Sequence, residues 1–338
     1  MIVGVIGSGR MGMIRASLLS QTPEVSRVLV GGRTAERAHA AVSEAEIDAE
    51  PMAIEDVFEA EPDAFVVAVA TAAHESVLQR CLEHRKPVLC EKPLADSLEG
   101  SLSLVEEAKS LGVPIQVGFM RRHDPGFAAA REAVRDGALG TVYCIRIVSH
   151  DHEVGTDEFA EASGGIFQDL CVHDFDIVRW ICGSEFEWLS AAGAVREHQQ
   201  YARIGDWDTC LIGGQLENGA LVSISGCRHN PRGYDFRLEL FGSRDSIAVG
   251  LTGQSPLRTV DEPGLLHGPV FRGFRDRFHT AFANETAAFV LLASKRGANP
   301  APPEDAVAAY RVALACEESA RDRRVVNLRD AATRRAEP

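Results

Sequence analysis

Three ionisable residues stand at helical spacing in a stretch that otherwise carries apolar side chains. Asp169, His173 and Asp176 occupy positions i, i+4 and i+7. They lie in a predicted helix over residues 164–180, and Gly183 is expected to end it. Such a row is costly in an apolar core, so we expect it to face a polar cavity. A histidine four residues after an aspartate suits proton transfer with an orienting carboxylate; the alternative is an ordinary solvated helix face.

A lysine follows a short apolar strand that is predicted to end at Cys90. The sequence there is Glu91-Lys92-Pro93, at the carboxyl end of a parallel strand, where open α/β sheets bind ligands. Pro93 restricts the backbone of the residue before it and so stiffens the position from which the Lys92 amine projects. That amine could hydrogen-bond a substrate hydroxyl; the alternative is a surface Lys-Pro turn.

A glycine-rich segment follows the first predicted strand, Ile2 to Ile6, without a break. Its sequence is Gly7-Ser8-Gly9-Arg10-Met11-Gly12, and an apolar helix is predicted to run on through Leu19. Strand, G-x-G-x-x-G turn and helix together form the dinucleotide-binding fingerprint. The glycines let the backbone approach a pyrophosphate, which then sits at the helix N-terminus.

The order of predicted elements divides the chain in two. Strands and helices alternate up to Gly118, which predicts a doubly wound parallel sheet, and we assign residues 1–119 to a dinucleotide-binding Rossmann domain. Beyond it, alternating strands and the hairpin signal Asn218-Gly219 predict a mostly antiparallel sheet. We therefore expect an α/β protein in which residues 120–330 form a second, α+β domain.

Two further features are expected in the second half. Residues 252–269 are rich in Gly and Pro and are predicted to form a long surface loop. A last helix near residues 304–322 could pack back on the first domain.

Composition and charge narrow the class of protein. The chain has 338 residues, is 45% hydrophobic and carries a formal net charge of -14, which is typical of a soluble globular protein and argues against a nucleic-acid partner. No apolar run reaches the roughly 20 residues of a membrane span. The first strand begins at the very start of the chain, which leaves no room for a signal peptide, and the eight cysteines are scattered. We therefore expect a cytoplasmic protein without a membrane partner.

Taken together, these motifs resemble the glucose–fructose oxidoreductase/inositol dehydrogenase (Gfo/Idh/MocA) family. The likeness is carried by the glycine loop, Glu91-Lys92-Pro93-Leu94-Ala95, Gly118-Phe119-Met120-Arg121-Arg122 and Asp169-x-x-x-His173. Further segments resemble its myo-inositol 2-dehydrogenase branch: Ala73–Ser76, Val117–Asp124, His173–Asp176, Gly233–Asp235, Arg237–Glu239 and Phe241–Ser243. The resemblance runs from Met1 to about the last ten residues.

The resemblance implies a nicotinamide cofactor on the first domain and a polyol or sugar between the two domains. Its catalytic lysine, aspartate and histidine fall on Lys92, Asp169 and His173. His173 would take the proton of a secondary hydroxyl while hydride leaves that carbon for the nicotinamide ring. Asp169 would orient His173 and hold a neighbouring hydroxyl, and Lys92 would stabilise charge on the reacting oxygen.

The resemblance also implies two sets of binding residues. The expected cofactor-binding residues are Gly7, Gly9, Arg10, Met11, Gly12, Arg33, Thr34, Thr71, His74, Glu91 and Lys92. The expected substrate-binding residues are Arg121, Arg122, Asp151, Asp169, His173 and Tyr234. Arg121 and Arg122 could equally form a salt bridge between the domains. Tyr234 could equally be a core residue.

The end of the second predicted strand bears on the choice between NAD and NADP. NAD-specific sites usually carry an acidic residue there, whereas this chain reads Gly31-Gly32-Arg33-Thr34. Arg33 and Thr34 could bind a 2′-phosphate, which favours NADP. The alternative is that Arg33 stacks on adenine and NAD is used.

Two other features suggest chemistry that we do not favour. His150-Asp151-His152 places two imidazoles on one side of a strand end, but no third metal ligand is apparent, so we expect no metal. Cys171 is close to His173 in sequence, but such near neighbours on a helix point apart, and packing is the better interpretation.

Two alternatives to a polyol dehydrogenase stay open. One is an NADP-dependent reductase of a sugar ketone in the same family. The other is a non-catalytic NAD(P)-sensing regulator, which a broken lysine–aspartate–histidine set would indicate; here all three are present. The resemblance also implies a homodimer or homotetramer joined through the second domain's sheet, while the inositol isomer or sugar cannot be read from the sequence.

Overall fold

The computed structural model describes residues 1–257, 260–261 and 269–329. The predicted loop at 252–269 therefore lies partly outside the described residues. The chain forms two compact units. The first joins Met1–His123 to Thr280–Ala308, and the second joins Asp124–His279 to the described residues from Ala309 onward. No described helix combines the length and the apolar character that a bilayer span requires.

In the described part of the first unit, parallel strands form a sheet in the order β3-β2-β1-β4-β5-β6. The strands are β1 (Ile2–Ile6), β2 (Arg27–Gly32), β3 (Glu50–Ala53), β4 (Ala64–Val67), β5 (Val88–Cys90) and β6 (Ile115–Val117). The helices are α1 (Arg10–Ser20), α2 (Ala35–Glu44), α3 (Ile54–Glu59), α4 (His74–Glu83) and α5 (Leu98–Leu111), with 3-10 turns at Thr71–Ala73 and Met120–His123. This is the predicted doubly wound parallel sheet, and its strand order reverses between β1 and β4.

Thr280–Ala308 belongs to the first unit and contributes to its core. Phe289, Val290 and Leu292 belong to the same buried apolar cluster as Val3 and Val5 of β1. The segment at 299–301 also bonds to the edge strand: Asn299 Nδ2 donates to Ile115 O over 2.7 Å, and Val117 N donates to Ala301 O over 2.8 Å. The parallel sheet of the first unit is thus packed and hydrogen-bonded by residues far from it in sequence.

The second unit is built on a mixed sheet. Its helices are α6 (Pro125–Arg135), α7 (Asp157–Ala162), α8 (Ile166–Asp169), α9 (Val172–Cys182) and α10 (Gln199–Arg203). Its strands are β7 (Val142–His150), β8 (Phe186–Ala194), β9 (Thr209–Leu216), β10 (Leu221–Cys227), β11 (Asp235–Gly242), β12 (Ser246–Val249) and β13 (Val326–Asn327). The last helices, α11 (Phe274–Ala293) and α12 (Pro303–Asp322), contribute residues to both units.

Over the described residues that sheet has the order β12-β11-β7-β10-β9-β8-β13. Every neighbouring pair is antiparallel except β7 and β10, which run parallel. The predicted mostly antiparallel sheet is confirmed. Asn218-Gly219 does join β9 to β10, and Gly219 has a φ of 90°, the left-handed region that a tight hairpin requires.

Candidate active site

The turn between β1 and α1 has room only for glycine at two of its positions. Gly7 has a φ of 119°, and a Cβ added there would overlap the carbonyl group of Ala68. A Cβ on Gly12 would overlap the carbonyl oxygen of Gly7. A Cβ on Gly9, by contrast, would meet no atom of the described residues within 4 Å. The space in front of Gly9 is therefore open where α1 begins.

That open space faces a helix start suited to an anion. Gly9 precedes α1, no side chain caps the helix, and its first turn, which begins with Arg10 and Met11, carries no acidic residue. The N-terminal N–H groups of a helix and its dipole attract a phosphate. The glycine loop therefore fits the pyrophosphate of a dinucleotide.

A cation follows β2 and a carboxylate lies in the first turn of α2. Arg33 is exposed, and the hydroxyl of Thr34 accepts a hydrogen bond from Arg37 N at the start of α2. Hydrogen bonds from its own backbone N–H and from the Thr34 hydroxyl hold the pKa of the exposed Glu36 carboxyl below its usual value. Glu36 was not predicted to act at this site. An acidic residue in the first turn of a Thr-capped helix is the sequence pattern that could have indicated it.

Thr71 and His74 follow β4, at the carboxyl edge of the sheet. Thr71 begins a 3-10 turn and is partly exposed, whereas His74 is 1% exposed. His74 Nδ1 lies 2.6 Å from the carbonyl oxygen of Pro93, and its Nε2 lies 3.1 Å from that of Val69. Burial lowers the pKa of His74, although both carbonyls favour its charged form. His74 therefore connects the loops that follow β4 and β5.

Lys92 and Glu91 occupy the loop after β5. Lys92 is partly exposed, and its peptide bond to Pro93 is cis. The Glu91 carboxylate accepts a hydrogen bond from Arg15 Nε over 2.7 Å. Glu91, expected to bind cofactor, is thus tied to a residue of the glycine-loop helix.

Arg15 is the centre of a buried ion-pair network that the sequence analysis missed. Its side chain is 0% exposed, and its Nη2 lies 2.6 Å from Glu285 Oε2, which is also 0% exposed. Burial alone would lower the pKa of Arg15, but the Glu285 and Glu91 carboxylates outweigh burial and raise it. The network joins α1, the Lys92 loop and α11 within the first unit.

The two arginines expected to contact substrate are both buried. Arg121 is 2% exposed and Arg122 is 6% exposed. Arg122 Nη1 lies 2.9 Å from Asp305 Oδ2 and donates to Pro300 O over 2.9 Å. Arg122 therefore makes a salt bridge inside the first unit, and a substrate role for either arginine stays a prediction.

His123 gives the first unit a pH-dependent stability. Burial, and then the charges of Arg15 and Arg122, lower the pKa of His123 to about 4. Between that value and about 6.5 the unfolded chain binds a proton that the folded chain does not, so stability rises with pH. The contribution is complete above about pH 6.5 and is lost as the pH falls towards 4.

We expect His123→Gln to flatten that pH dependence. The difference between a pKa of 6.5 in the unfolded chain and about 4 in the folded chain corresponds to roughly 3 kcal/mol of unfolding free energy at most. Unfolding measured from pH 7 to pH 4 should show a smaller loss of free energy in the variant than in the wild type. His39→Gln, at an exposed position, is the control; equal slopes for the wild type and His123→Gln would contradict the assignment.

In the second unit, the prediction of a single helix over residues 164–180 is wrong. The structure has α8, Ile166–Asp169, and then α9, Val172–Cys182, with Leu170 and Cys171 between them. Cys171 N donates to Ile166 O, a wider turn than an α-helix makes. The expected end at Gly183 is confirmed by its left-handed φ of 57°.

The break separates the three residues of the predicted row. Asp169 ends α8 and His173 lies in the first turn of α9, and both are partly exposed. Asp176 is 1% exposed and Asp174 is 0% exposed, with Ser149 Oγ donating to Asp174 Oδ1 over 2.6 Å. The face available for chemistry therefore contains Asp169 and His173, and not Asp176.

Asp169 is held by an arginine that the sequence analysis missed. Arg228 is 1% exposed, and its Nη1 donates to Asp169 Oδ2 over 3.0 Å. Its Nη2 lies 3.3 Å from Asp206 Oδ2, and Asp206 Oδ1 accepts from Ile166 N over 3.0 Å at the start of α8. Burial would lower the pKa of Arg228, but Asp169 and Asp206 raise it. One buried guanidinium thus fixes both ends of α8.

Asp151 and Tyr234 lie elsewhere in the second unit. Asp151 is partly exposed just after β7, and its carbonyl oxygen accepts from Asn230 N over 2.6 Å. Tyr234 is 7% exposed and its ring stacks on Phe236, with centroids 4.1 Å apart. The ring of Tyr234 is therefore part of the core, and a substrate contact for either residue stays a prediction.

The two histidines beside Asp151 have separate hydrogen bonds. His150 Nε2 lies 2.9 Å from Ser225 Oγ, and His152 Nδ1 lies 3.1 Å from Asn230 O. Cys171 is buried 3.6 Å from Cys210 Sγ; that contact and burial raise the pKa of its thiol. A raised pKa disfavours a nucleophilic thiolate.

The fold and these residues define a class. A dinucleotide-type glycine loop on a parallel sheet is followed by a unit with a mixed sheet, in which Asp169 and His173 are partly exposed, and this is the organisation expected of a two-domain nicotinamide-dependent oxidoreductase. Residues 1–119 match the family "Oxidoreductase family, NAD-binding Rossmann fold", and residues 127–248 match "GFO/IDH/MocA C-terminal domain". The chain belongs to the GFO/IDH/MocA family.

Individual relatives agree over nearly the whole chain. Myo-inositol dehydrogenase Hyg17 of Streptomyces leeuwenhoekii is 37% identical over 323 residues, 95% of this chain and 97% of the relative. The crystal structure of a myo-inositol dehydrogenase from Corynebacterium glutamicum superimposes with a TM-score of 0.87 at 29% identity, over 97% of this chain and 98% of that one. Myo-inositol dehydrogenase of Lactobacillus casei, in complex with NAD(H) and myo-inositol, gives 0.81 at 25% identity, over 97% and 96%. The predicted family and branch are confirmed.

Proposed function

We propose that this chain oxidises a secondary hydroxyl of a cyclic polyol of the inositol type and transfers the hydride to a nicotinamide dinucleotide. The observation that carries the proposal is the pair Asp169 and His173. Both are partly exposed in a segment where Asp174 and Asp176 are buried, and Asp169 is anchored by Arg228. The names of the relatives support the choice of substrate class.

Each residue has one task in the proposed reaction. When bound, the nicotinamide ring supplies the hydride acceptor. His173 takes the hydroxyl proton, so the secondary alcohol loses one hydride and one proton and becomes a ketone. Lys92 donates a hydrogen bond to the reacting oxygen and stabilises its developing negative charge. Asp169 accepts from a neighbouring hydroxyl, in a position that Arg228 fixes.

The substrate is tested by an assay of nicotinamide reduction against myo-inositol, scyllo-inositol and common pyranoses with both cofactors. We expect turnover to be highest with an inositol. Turnover of pyranoses alone would redirect the proposal to a sugar. Cofactor binding with no turnover of any polyol would favour the sensing regulator.

For the choice of cofactor, we propose that Arg33 favours NADP. The exposed guanidinium can bind a 2′-phosphate with two parallel hydrogen bonds. Glu36 opposes this preference, because its carboxylate lies beside the Thr34 hydroxyl and would repel a phosphate there. The balance between Arg33 and Glu36 thus decides the preference between the two cofactors.

We expect Arg33→Ala to raise KM for NADP about 10- to 100-fold and to change KM for NAD much less. Loss of a hydrogen bond to a charged group weakens binding by about this factor. Steady-state kinetics with each cofactor measures this. Arg244→Ala, at an exposed position of the other unit, is the matched control. An equal change of KM for both cofactors, or a strong NAD preference in the wild type, would contradict the assignment.

We also propose that the chain forms a homodimer or homotetramer through the sheet of the second unit. Leu211 of β9 and Leu221 of β10 are 61% and 49% exposed, while Ile212 and Ile224 on the opposite face are buried. A second copy would cover these leucines. The mass of the protein in solution, from light scattering, tests this.

A further inference from the structure

A cluster of three potential metal ligands lies in the second unit, and none of the three was given a role above. Among the described residues, it is the group of three His, Cys, Asp or Glu side chains whose ligand atoms all lie within 4.8 Å of one another: Glu197, His198 and His229. The two imidazole rings meet edge to face, with centroids 5.0 Å apart and an interplanar angle of 80°.

The backbone that carries these side chains is fixed by one buried residue. Asp208 is 2% exposed, and its Oδ2 accepts from Glu197 N over 2.9 Å and from His198 N over 3.0 Å. Its carbonyl oxygen accepts from Arg228 N over 2.8 Å, next to His229. Asp208 therefore holds together the two chain segments that supply the ligands. The cluster is preorganised by hydrogen bonds that do not use the ligand side chains.

One ring nitrogen of the cluster lacks a partner among the described residues. His198 Nε2 is buried and has no hydrogen bond to any described residue. A buried polar nitrogen without a partner costs free energy, because it has lost its hydrogen bond to water and gained none in the protein. A bound cation would satisfy it, since neutral imidazole nitrogen is a strong ligand for transition metals.

We propose that Glu197, His198 and His229 bind a divalent transition-metal ion, with Zn²⁺ the best match. Two imidazoles and one carboxylate are a common zinc ligand set. Ligand atoms on a tetrahedral Zn²⁺ lie about 3.4 Å apart for bonds of about 2.0–2.1 Å, so on binding the ligand atoms, which lie within 4.8 Å of one another, move closer together. Three protein ligands leave a fourth position for water or another oxygen ligand.

The site has a structural consequence within the second unit. The ion joins the segment before α10 to the segment after β10, which includes Arg228. Because Arg228 holds Asp169, occupancy of the metal site stabilises the arrangement that positions Asp169. The ion itself takes no part in the hydride transfer proposed above.

The test uses the full-length chain without a histidine tag, freed of metal with a chelator. Titration with Co²⁺ should produce the visible absorption of a four-coordinate site, and Zn²⁺ should displace it at one ion per chain. Zn²⁺ should also raise the thermal unfolding midpoint. Mg²⁺, which prefers oxygen ligands, should do neither.

Ligand substitutions decide between this site and chance binding. Loss of a residue that only supports a metal ligand costs about 10- to 100-fold in affinity. Loss of a ligand should cost more, so we expect His198→Ala or His229→Ala to weaken Zn²⁺ binding by at least about 100-fold. Glu197→Gln should weaken it less than either histidine change, and His39→Ala should leave it unchanged. Unfolding midpoints in chelator show whether each variant is folded. Absence of the Co²⁺ spectrum in the wild type, or equal Zn²⁺ affinity in the wild type and both folded histidine variants, would falsify the proposal.

Discussion

His173→Ala is expected to lower kcat about 10²- to 10⁴-fold and to leave the dissociation constant of the cofactor nearly unchanged. A positioned general base contributes about this factor, because without it the hydroxyl proton must go to water. The cofactor should bind as before, since the glycine loop and its helix lie in the first unit and His173 lies in the second. Initial rates with an inositol, and cofactor titration followed by fluorescence, measure the two quantities separately.

Lys92→Ala provides an independent comparison. Loss of one donor to a developing oxyanion costs about 10²- to 10³-fold in kcat. If Lys92 and His173 act in the same step, the double variant should lose less than the product of the two single losses. His39→Ala controls for the loss of an exposed histidine. Turnover within a few-fold of the wild type in both single variants would exclude the proposed mechanism.

Arg15→Met is expected to destabilise the chain by about 3–5 kcal/mol. Removing one member of a buried ion pair leaves its partner's charge without compensation. Here the substitution leaves Glu285, at 0% exposure, and Glu91, at 13%, without the guanidinium that both contact. The unfolding free energy from chemical denaturation, and the thermal midpoint, measure the loss.

A surface pair offers a matched control for this substitution. Arg27 pairs with Glu50 over 2.6 Å, but their side chains are 50% and 49% exposed. Solvent-exposed pairs contribute about 0–1 kcal/mol, so Arg27→Met should change stability little. Adding Glu285→Gln to Arg15→Met should recover part of the loss. If the two arginine substitutions cost the same, burial is not what makes the Arg15 network important.

Several elements were predictable because their signals are local. The strand predicted over Ile2–Ile6 has the observed bounds, the strand predicted before Glu91 does end at Cys90, and Asn218-Gly219 does form a hairpin turn. The two strands are short apolar runs of a parallel sheet buried on both faces, and the hairpin has a two-residue turn signal. The end of α9 at Gly183 was likewise predictable, since it is a backbone requirement of a single residue.

Other elements had no local signal strong enough to read. The strands β3 and β8 were missed: β3 has the sequence Glu-Pro-Met-Ala, and β8 ends in Ser-Ala-Ala-Gly-Ala. Small residues, proline and charge are poor strand indicators, and neighbouring strands supply the stability instead. The break between α8 and α9 was also invisible, because Asp206, which caps Ile166 N, lies 40 residues away in sequence.

The same reason limited the prediction of the candidate site. The types and spacing of Lys92, Asp169 and His173 could be recognised, but their supporting partners could not. Arg228 lies 59 residues from Asp169, and Glu285 lies 270 residues from Arg15. Such ion pairs are chosen by the folded arrangement of distant segments, which no window of sequence contains.

The first unit is built from two separate segments of the chain, and this limits how it can be expressed alone or transferred to another protein. A fragment cut after residue 123 would retain the glycine loop yet lose Phe289, Val290 and Leu292 from its core and Glu285 from its ion pair. Grafting this nucleotide-binding half into another protein would therefore mean transplanting two separate lengths of polypeptide, with a linker in place of the segment between them.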